Sequence, residues 1–222
     1  MNSLFLTFEG PDGCGKSTQA RLLAEKLRSQ GYDVFLTREP GGTSLGEAVR
    51  ELLLGKEYEL TSSAEALLYA AARAQHVEEK IRPALAKGQI VICDRFVDSS
   101  LAYQGYGLGL SLQKLREINL FATSGLEPDL TILLDLDPQI GLARARAGRG
   151  QTDRIEERDG AFHKQVREGF LDLARSQLER FAVIQVEGLP PEEVEQLVWT
   201  RVEKLLGKQR GTFSCNKMGV KS

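Results

Sequence analysis

Cysteine is scarce in this chain of 222 residues: there are three, an odd number. Cys14, Cys93 and Cys215 are too scattered to frame a disulfide-stapled fold, which points to a reducing, cytosolic setting. An excess of charge of either sign is also missing. The 29 basic residues against 31 acidic ones leave a net −2 and a pI near 5.9. A protein living along a nucleic-acid backbone is normally basic, so no nucleic-acid partner is expected, and any polyanion bound here should be small and met locally. No apolar run approaches the ~18 residues of a membrane span, so no membrane partner is expected either. The opening MNSLFLTFEGPDG has no basic stretch, and Thr7 and Glu9 interrupt its apolar residues, so it does not read as a signal peptide. A cytoplasmic location follows as the expectation. Histidine is limited to His76 and His163, which have no partners at metal-ligand spacing in the sequence and are assigned to no metal.

What is present is enough apolar material, 41%, to bury a core, and a length that suggests one domain. Short apolar runs alternate with longer helical patterns. Strands are expected at 4–8, 33–37, 90–93, 130–136 and 182–186. Helices are expected at 17–30, closed by Gly31, and at 44–55, 63–87, 98–104, 111–124, 138–147, 157–181 and 191–206. Strands separated by helices predict an α/β fold, a parallel sheet with helices on both faces. From Lys208 onward the polar, Gly- and Ser-containing tail reads as disordered. The domain is therefore placed at 1–207 and the tail at 208–222.

The strongest local signal is GPDGCGKS at 10–17, which fits G-x-x-x-x-G-K-[ST] and lies after a strand and before a helix. The loop Gly10, Pro11, Asp12, Gly13, Cys14, Gly15, Lys16, Ser17 and Thr18 would wrap phosphate oxygens at a helix N-terminus with its backbone N–H groups, which every one of these residues but Pro11 has. Lys16 would add mobile charge near the β- and γ-phosphates, and the Ser17 hydroxyl would bind Mg²⁺. Gly13 and Gly15 permit a backbone that a Cβ would obstruct. A second strand ends in Asp94-Arg95, an acid placed to hold the metal beside an arginine placed to reach the phosphates. The Asn-Lys-x-Asp element of a GTPase is not found. These features predict a P-loop NTPase fold that binds a nucleoside triphosphate together with Mg²⁺.

Beyond the loop, the succession FEGPDGCGKSTQ (8–19), TREPGGT (37–43), LLYAAARAQHV (67–77), DRFVDSSLAYQGYG (94–107), LDLDP (134–138) and RARAGRGQTDRIEERD (144–159) resembles the thymidylate kinases over residues 3 to about 207. The resemblance implies a five-stranded parallel sheet, a homodimer, and transfer of the γ-phosphoryl group of ATP to dTMP, with both nucleotides as small-molecule partners. It places Arg38 on the dTMP phosphate and Arg95 between acceptor and donor phosphates. Tyr69 would stack on thymine, Arg73 would hydrogen-bond the base edge, and Ser100 and Gln104 would offer further base contacts. Tyr103 would pack below the sugar against a 2′-hydroxyl, and Asp12 would accept from the 3′-hydroxyl. Other readings are a kinase of a different small acceptor and a P-loop ATPase acting on DNA.

The acceptor is a phosphate that brings its own nucleophile, so no catalytic base is expected. Charge is the difficulty, and the arginine-rich run at about 144–157 reads as a lid that relieves it. Gly148 and Gly150 make it pliable. Some members of the family carry a catalytic arginine in the phosphate loop, but Gly13 and Cys14 stand there in this chain. The lid arginines Arg149 and Arg154 are therefore expected beside Lys16 and Arg95 as the catalytic set, with Arg146 next on the ATP side and Arg144 near adenine or structural. Glu9, Glu39, Glu156 and Glu157 could each orient an arginine or a metal-bound water.

Overall fold

A computed structural model describes residues 3–149 and 152–216, with the side chains of 148, 149 and 208–216 left aside. Five strands, β1 (Leu4–Glu9), β2 (Val34–Arg38), β3 (Ile90–Asp94), β4 (Leu130–Asp135) and β5 (Phe181–Gln185), form one sheet in the order β2-β3-β1-β4-β5. Every pairing is parallel. β1 and β4 are buried at every position, as strands covered on both faces must be, so they read as continuous apolar runs.

Alternation sorts each strand's side chains onto the two faces. Leu4, Leu6, Phe8, Ile90, Ile92, Ile132 and Leu134 meet α1 (Lys16–Ser29) and α9 (Pro191–Asn216) on one face. On the other face, Phe5, Val91 and Cys93 pack with Val77, Ile81 and Phe96. Leu133 there joins α8 (Gly160–Ser176), whose Val166, Phe170 and Leu173 are enclosed. The chain runs outward from β1 to β2, returns to β3, then crosses β1 to β4. That reversal opens a crevice at the carboxyl ends of β1 and β3, where ligands bind in such sheets.

Several helices differ from their expected form. The single helix expected over 63–87 is α3 (Ser62–His76), a π-helical turn (Val77–Ile81) and α4 (Arg82–Ala86). Pro83 lacks an N–H and crowds the preceding turn, and the wider π turn absorbs it. The helix near 98–104 is α5 (Val97–Ser100) continued by a π-helical stretch (Leu101–Gly107). The helix expected at 157–181 is shorter, because the Asp159 carboxylate accepts from Phe162 N at 2.7 Å and starts α8 at Gly160. α2 (Ser44–Leu54), α6 (Leu112–Thr123) and α7 (Pro138–Arg149) fall where expected. α9 continues past Leu206 to Asn216, so part of the segment assigned to the tail is helical, and 217–222 lie outside the described residues.

Candidate active site

The turn after β1 is shaped by glycine. Gly13 has φ +72°, and a Cβ there would stand 1.9 Å from the Gly141 carbonyl oxygen of α7. Gly141 in turn leaves room for the Asp12 carbonyl oxygen, 2.1 Å from where its own Cβ would be. Gly13 is thus fixed by two backbones meeting, whereas Gly15, at φ +97° with open space around it, is fixed by conformation alone. Gly15 leads directly into α1, so the helix's free N–H groups face the loop.

Lys16 is buried and folded back over this loop, its Nζ donating to Pro11 O at 2.7 Å and Gly10 O at 3.0 Å. Cys14 Sγ lies 3.7 Å from the same nitrogen. Burial pushes the Cys14 thiol up, which leaves it protonated and poorly nucleophilic. Ser17 Oγ donates to Asp94 Oδ2. A hydroxyl and a carboxylate thus meet from α1 and the end of β3, a hard oxygen pair of the kind Mg²⁺ takes.

Arg95 follows Asp94 with φ +73°, a left-handed conformation rare outside glycine. That turn sends its side chain across the crevice. Nη2 donates to Asp12 Oδ1 at 2.5 Å and to Tyr103 Oη at 3.2 Å, and Nη1 reaches Ser99 Oγ at 3.1 Å. Tyr103 Oη completes the triangle by donating to Asp12 Oδ2 at 2.7 Å. Burial alone would raise the Asp12 carboxyl, but Arg95 and Lys16 overcome it and hold the group below its usual range. Burial works against the Arg95 charge too, and Tyr103 and Asp12 more than restore it.

The residues expected to read a base converge as well. Tyr69, Arg73, Ser100, Tyr103 and Gln104 share with Asp12, Gly13, Gly15, Lys16, Ser17, Thr18, Arg38, Asp94 and Arg95 the lining of one cavity of about 470 Å³. Arg73 is enclosed by partners. Its Nε donates to Glu39 Oε2 at 2.7 Å, Nη1 to Ser100 Oγ at 2.9 Å and to Asn119 Oδ1, and Nη2 to Phe96 O at 3.0 Å. Glu39 therefore does orient an arginine, and His76 Nδ1 lies 3.0 Å from its other oxygen. Glu39, His76 and Cys93 hold ligand atoms within 4.8 Å of one another. Each is already engaged, His76 also with Thr37 Oγ1 at 2.7 Å and Cys93 with Arg95 O at 3.1 Å, so the group serves as a hydrogen-bonded support. Arg38 is half exposed and gripped by both oxygens of Glu47 at 2.9 and 3.0 Å.

The arginine-rich run divides. Arg144, expected near adenine or structural, lines the cavity, and Arg146 is exposed on α7. Arg149 is the last residue of α7, and its side chain lies outside the described part. Arg154 is not brought to the phosphate loop. Its guanidinium donates to Leu53 O at 3.0 and 2.9 Å and to Glu65 Oε2 at 2.7 Å. Of the acids expected near these motifs, Glu9 accepts from Phe96 N at 2.8 Å and Ser99 Oγ at 2.5 Å, which steadies the Arg95 turn. Glu157 pairs with Lys56 at 2.5 Å, and Glu156 accepts from Asp153 N at 3.3 Å.

Sequence reasoning missed Arg50 and Glu65. Arg50 lines the cavity and donates to Pro40 O at 3.0 Å. Burial, with Arg38 nearby, lowers its pKa. Glu65 accepts from Gln104 Nε2 at 2.9 Å. A signal for it existed, since Glu65, Tyr69 and Arg73 recur every four residues on one helix face.

One cavity thus runs from a phosphate loop to an aromatic and polar pocket, with Arg95 between. A family model described as thymidylate kinase matches residues 8–198. The chain belongs to the thymidylate kinase family. It is therefore a nucleoside monophosphate kinase. It is 53% identical to a thymidylate kinase of Deinococcus radiodurans over 201 residues, covering 90% of this chain and 97% of that one. It is 47% identical to one of Geobacillus thermodenitrificans over 219 residues, covering 98% and 97%. The crystal structure of thymidylate kinase from Ehrlichia chaffeensis superposes with a TM-score of 0.75 at 38% identity, covering 91% of this chain and all of that one. The parallel sheet with its phosphate loop, a P-loop NTPase fold, is the frame on which the site is built.

Proposed function

We propose that the cavity seats two nucleotides end to end and that the chain transfers the γ-phosphoryl group of ATP to dTMP, giving dTDP and ADP for the supply of pyrimidine deoxynucleotides. The observation that carries this reading is the shared lining: Lys16 and Ser17 at one end, Tyr69, Arg73 and Gln104 at the other, and Arg95 in the middle. The acceptor's second pKa is about 6, so near neutral pH it is mostly dianionic and ready to attack. Two unit charges about 4 Å apart repel by roughly 4 kcal/mol at an effective dielectric near 20, and several such pairs oppose the approach.

The chain's residues answer that repulsion. Lys16 swings from the Gly10 and Pro11 carbonyls onto the donor phosphates. Arg38 and Arg95 take the acceptor phosphate, with Arg50 adding charge at that end. Asp12 and Tyr103, tied to Arg95, face the deoxyribose. Ser17 and Asp94 fit Mg²⁺, which when bound would neutralise charge on the β- and γ-phosphates. From the lid, Arg149 serves the transferred group, with Arg144 and Arg146 on the ATP side. Arg154 fastens the lid's outer limb to α2 and α3 in the arrangement seen here. A cytoplasmic homodimer completes the reading. The test is ATP consumption measured with dTMP, dUMP, thymidine and DNA in turn. Stimulation by dTMP above dUMP, with none by thymidine or DNA, is expected; stimulation by DNA or thymidine instead would overturn the reading.

A further inference from the structure

Glu65 sits in the first turn of α3 with its side chain fully enclosed. Its two oxygens serve different partners. Oε2 accepts from Arg154 Nη2 at 2.7 Å and from Arg158 Nη2 at 2.6 Å. Oε1 accepts from Gln104 Nε2 at 2.9 Å. Two guanidinium groups, one of them also anchored on Leu53 O, keep the carboxylate from turning away. A carboxylate offers acceptors only. Gln104 must therefore point its amide nitrogen at Glu65 and its carbonyl oxygen elsewhere. Gln104 lines the cavity, and among the described residues its Oε1 has no hydrogen-bond partner.

Arg73 supplies the complementary half. Of the five N–H groups of a guanidinium, four are engaged by Glu39, Ser100, Asn119 and Phe96 O, which leaves one on Nη2. Ser100, bonded to Arg73, lies one turn before Gln104. Arg73 and Gln104, which both line the cavity, thus hold one spare donor and one spare acceptor between them. A pyrimidine with a 4-oxo group and an N3–H matches both. A 4-amino pyrimidine, with a lone pair at N3, opposes both.

We propose that Glu65 is a positioning residue for base selection: by fixing which way the Gln104 amide faces, it admits a 4-oxo pyrimidine monophosphate and refuses a 4-amino one. This rests on the acceptor-pocket reading given above. Sites built around a buried hydrogen bond reject ligands that cannot make it by large factors, because the pocket's own group is left unpaired.

The substitution Glu65→Gln keeps the shape but introduces an amide nitrogen that can donate to Gln104 Oε1 and let that amide turn over. The ratio of kcat/KM for dTMP to that for dCMP is measured in the wild type, Glu65→Gln, Gln104→Ala and the double variant. Releasing Arg154 and Arg158 should slow both substrates alike, so the ratio isolates base selection. The ratio is expected to fall at least about tenfold in Glu65→Gln, yet not respond to Glu65→Gln once Gln104 is Ala. An unchanged ratio in the single variant, or an equal fall in both backgrounds, would overturn the proposal. A second measurement needs no change at Glu65: N3-methyl-dTMP should bind the wild type at least about tenfold more weakly than dTMP, and this gap should close in Gln104→Ala. Equal binding of the two ligands to the wild type would overturn it as well. Wild-type turnover of dTMP tests the underlying reading by itself, while equal turnover of dTMP and dCMP would sink this inference alone.

Discussion

Glu9 ends β1 at the point where the chain leaves the sheet for the phosphate loop. Burial, and then the charge of Asp98, push its carboxyl from an ordinary 4.5 up to about 8, against the hydrogen bonds from Ser99 and Phe96 and the charge of Arg95. The folded carboxyl is thus protonated where the unfolded one is not. Its stabilising contribution is complete below about 4.5 and is lost as pH rises toward 8. Melting temperature should therefore decline more in the wild type than in Glu9→Gln between about pH 5 and pH 8, and parallel curves would contradict it. A second residue-scale expectation concerns Arg149. An arginine inserted into phosphoryl transfer can be worth 10³–10⁵ in rate, so Arg149→Ala should lower kcat at least about tenfold with dTMP affinity little changed, as steady-state kinetics will read. Lys16, Ser17, Asp94 and Arg95 were legible from sequence because a strand end and a glycine loop dictate where they go. Glu65 was not weighed, since its partners Arg154 and Arg158 lie 89 and 93 residues away.

At the scale of elements, α5 has only four helical residues before the chain widens into a π turn, yet it carries Ser99 and Ser100 to the site. It is held from outside by Arg180, just before β5, whose guanidinium takes both oxygens of the buried Asp98 at 2.7 and 2.8 Å. The same Nη1 reaches Thr131 Oγ1 at 2.6 Å, and Thr131 meets Thr7 at 2.9 Å, so a polar thread joins α5 to β4 and β1 through the turn that leads into β5. Removing one partner of a buried pair strands the other charge, here beside Glu9. Arg180→Met should cost about 3–5 kcal/mol in urea unfolding. A loss under about 1 kcal/mol would mean that the pair behaves as a surface bridge. The strands and most helices were readable from periodicity because the sheet is covered on both faces and its helices are amphipathic. The π turns and the late start of α8 were not, since they depend on Pro83 straining one turn and Asp159 capping another, details that apolar spacing does not register.

Across the whole molecule, one face of α3 turns Tyr69 and Arg73 to the cavity and Glu65 to Gln104, and the opposite face is exposed. Leu67 there is 55% exposed, and on neighbouring α6 Leu120 and Phe121 are 63% and 87% exposed. α2, packed on the other side of α3, adds exposed Leu45 and Leu52. Five large apolar side chains thus stand exposed on three helices that pack in succession, and on the homodimer reading proposed above a second copy of the chain would cover such a surface by two-fold symmetry. Nothing in the helical pattern alone could locate this face, because each of its leucines continues an apolar stripe that could equally have turned inward. The packing decides it. If this surface is the dimer contact, then the partner presses on the back of the helix that positions Tyr69 and Arg73, while Lys16 and Ser17 belong to α1 at the other end of the shared cavity. The double variant Leu67→Asp/Phe121→Asp should therefore sediment as a monomer and raise KM for dTMP, while ATP binding stays near the wild-type value. A variant that remains dimeric would remove this face from the assembly, and a monomer with unchanged KM for dTMP would sever assembly from acceptor binding.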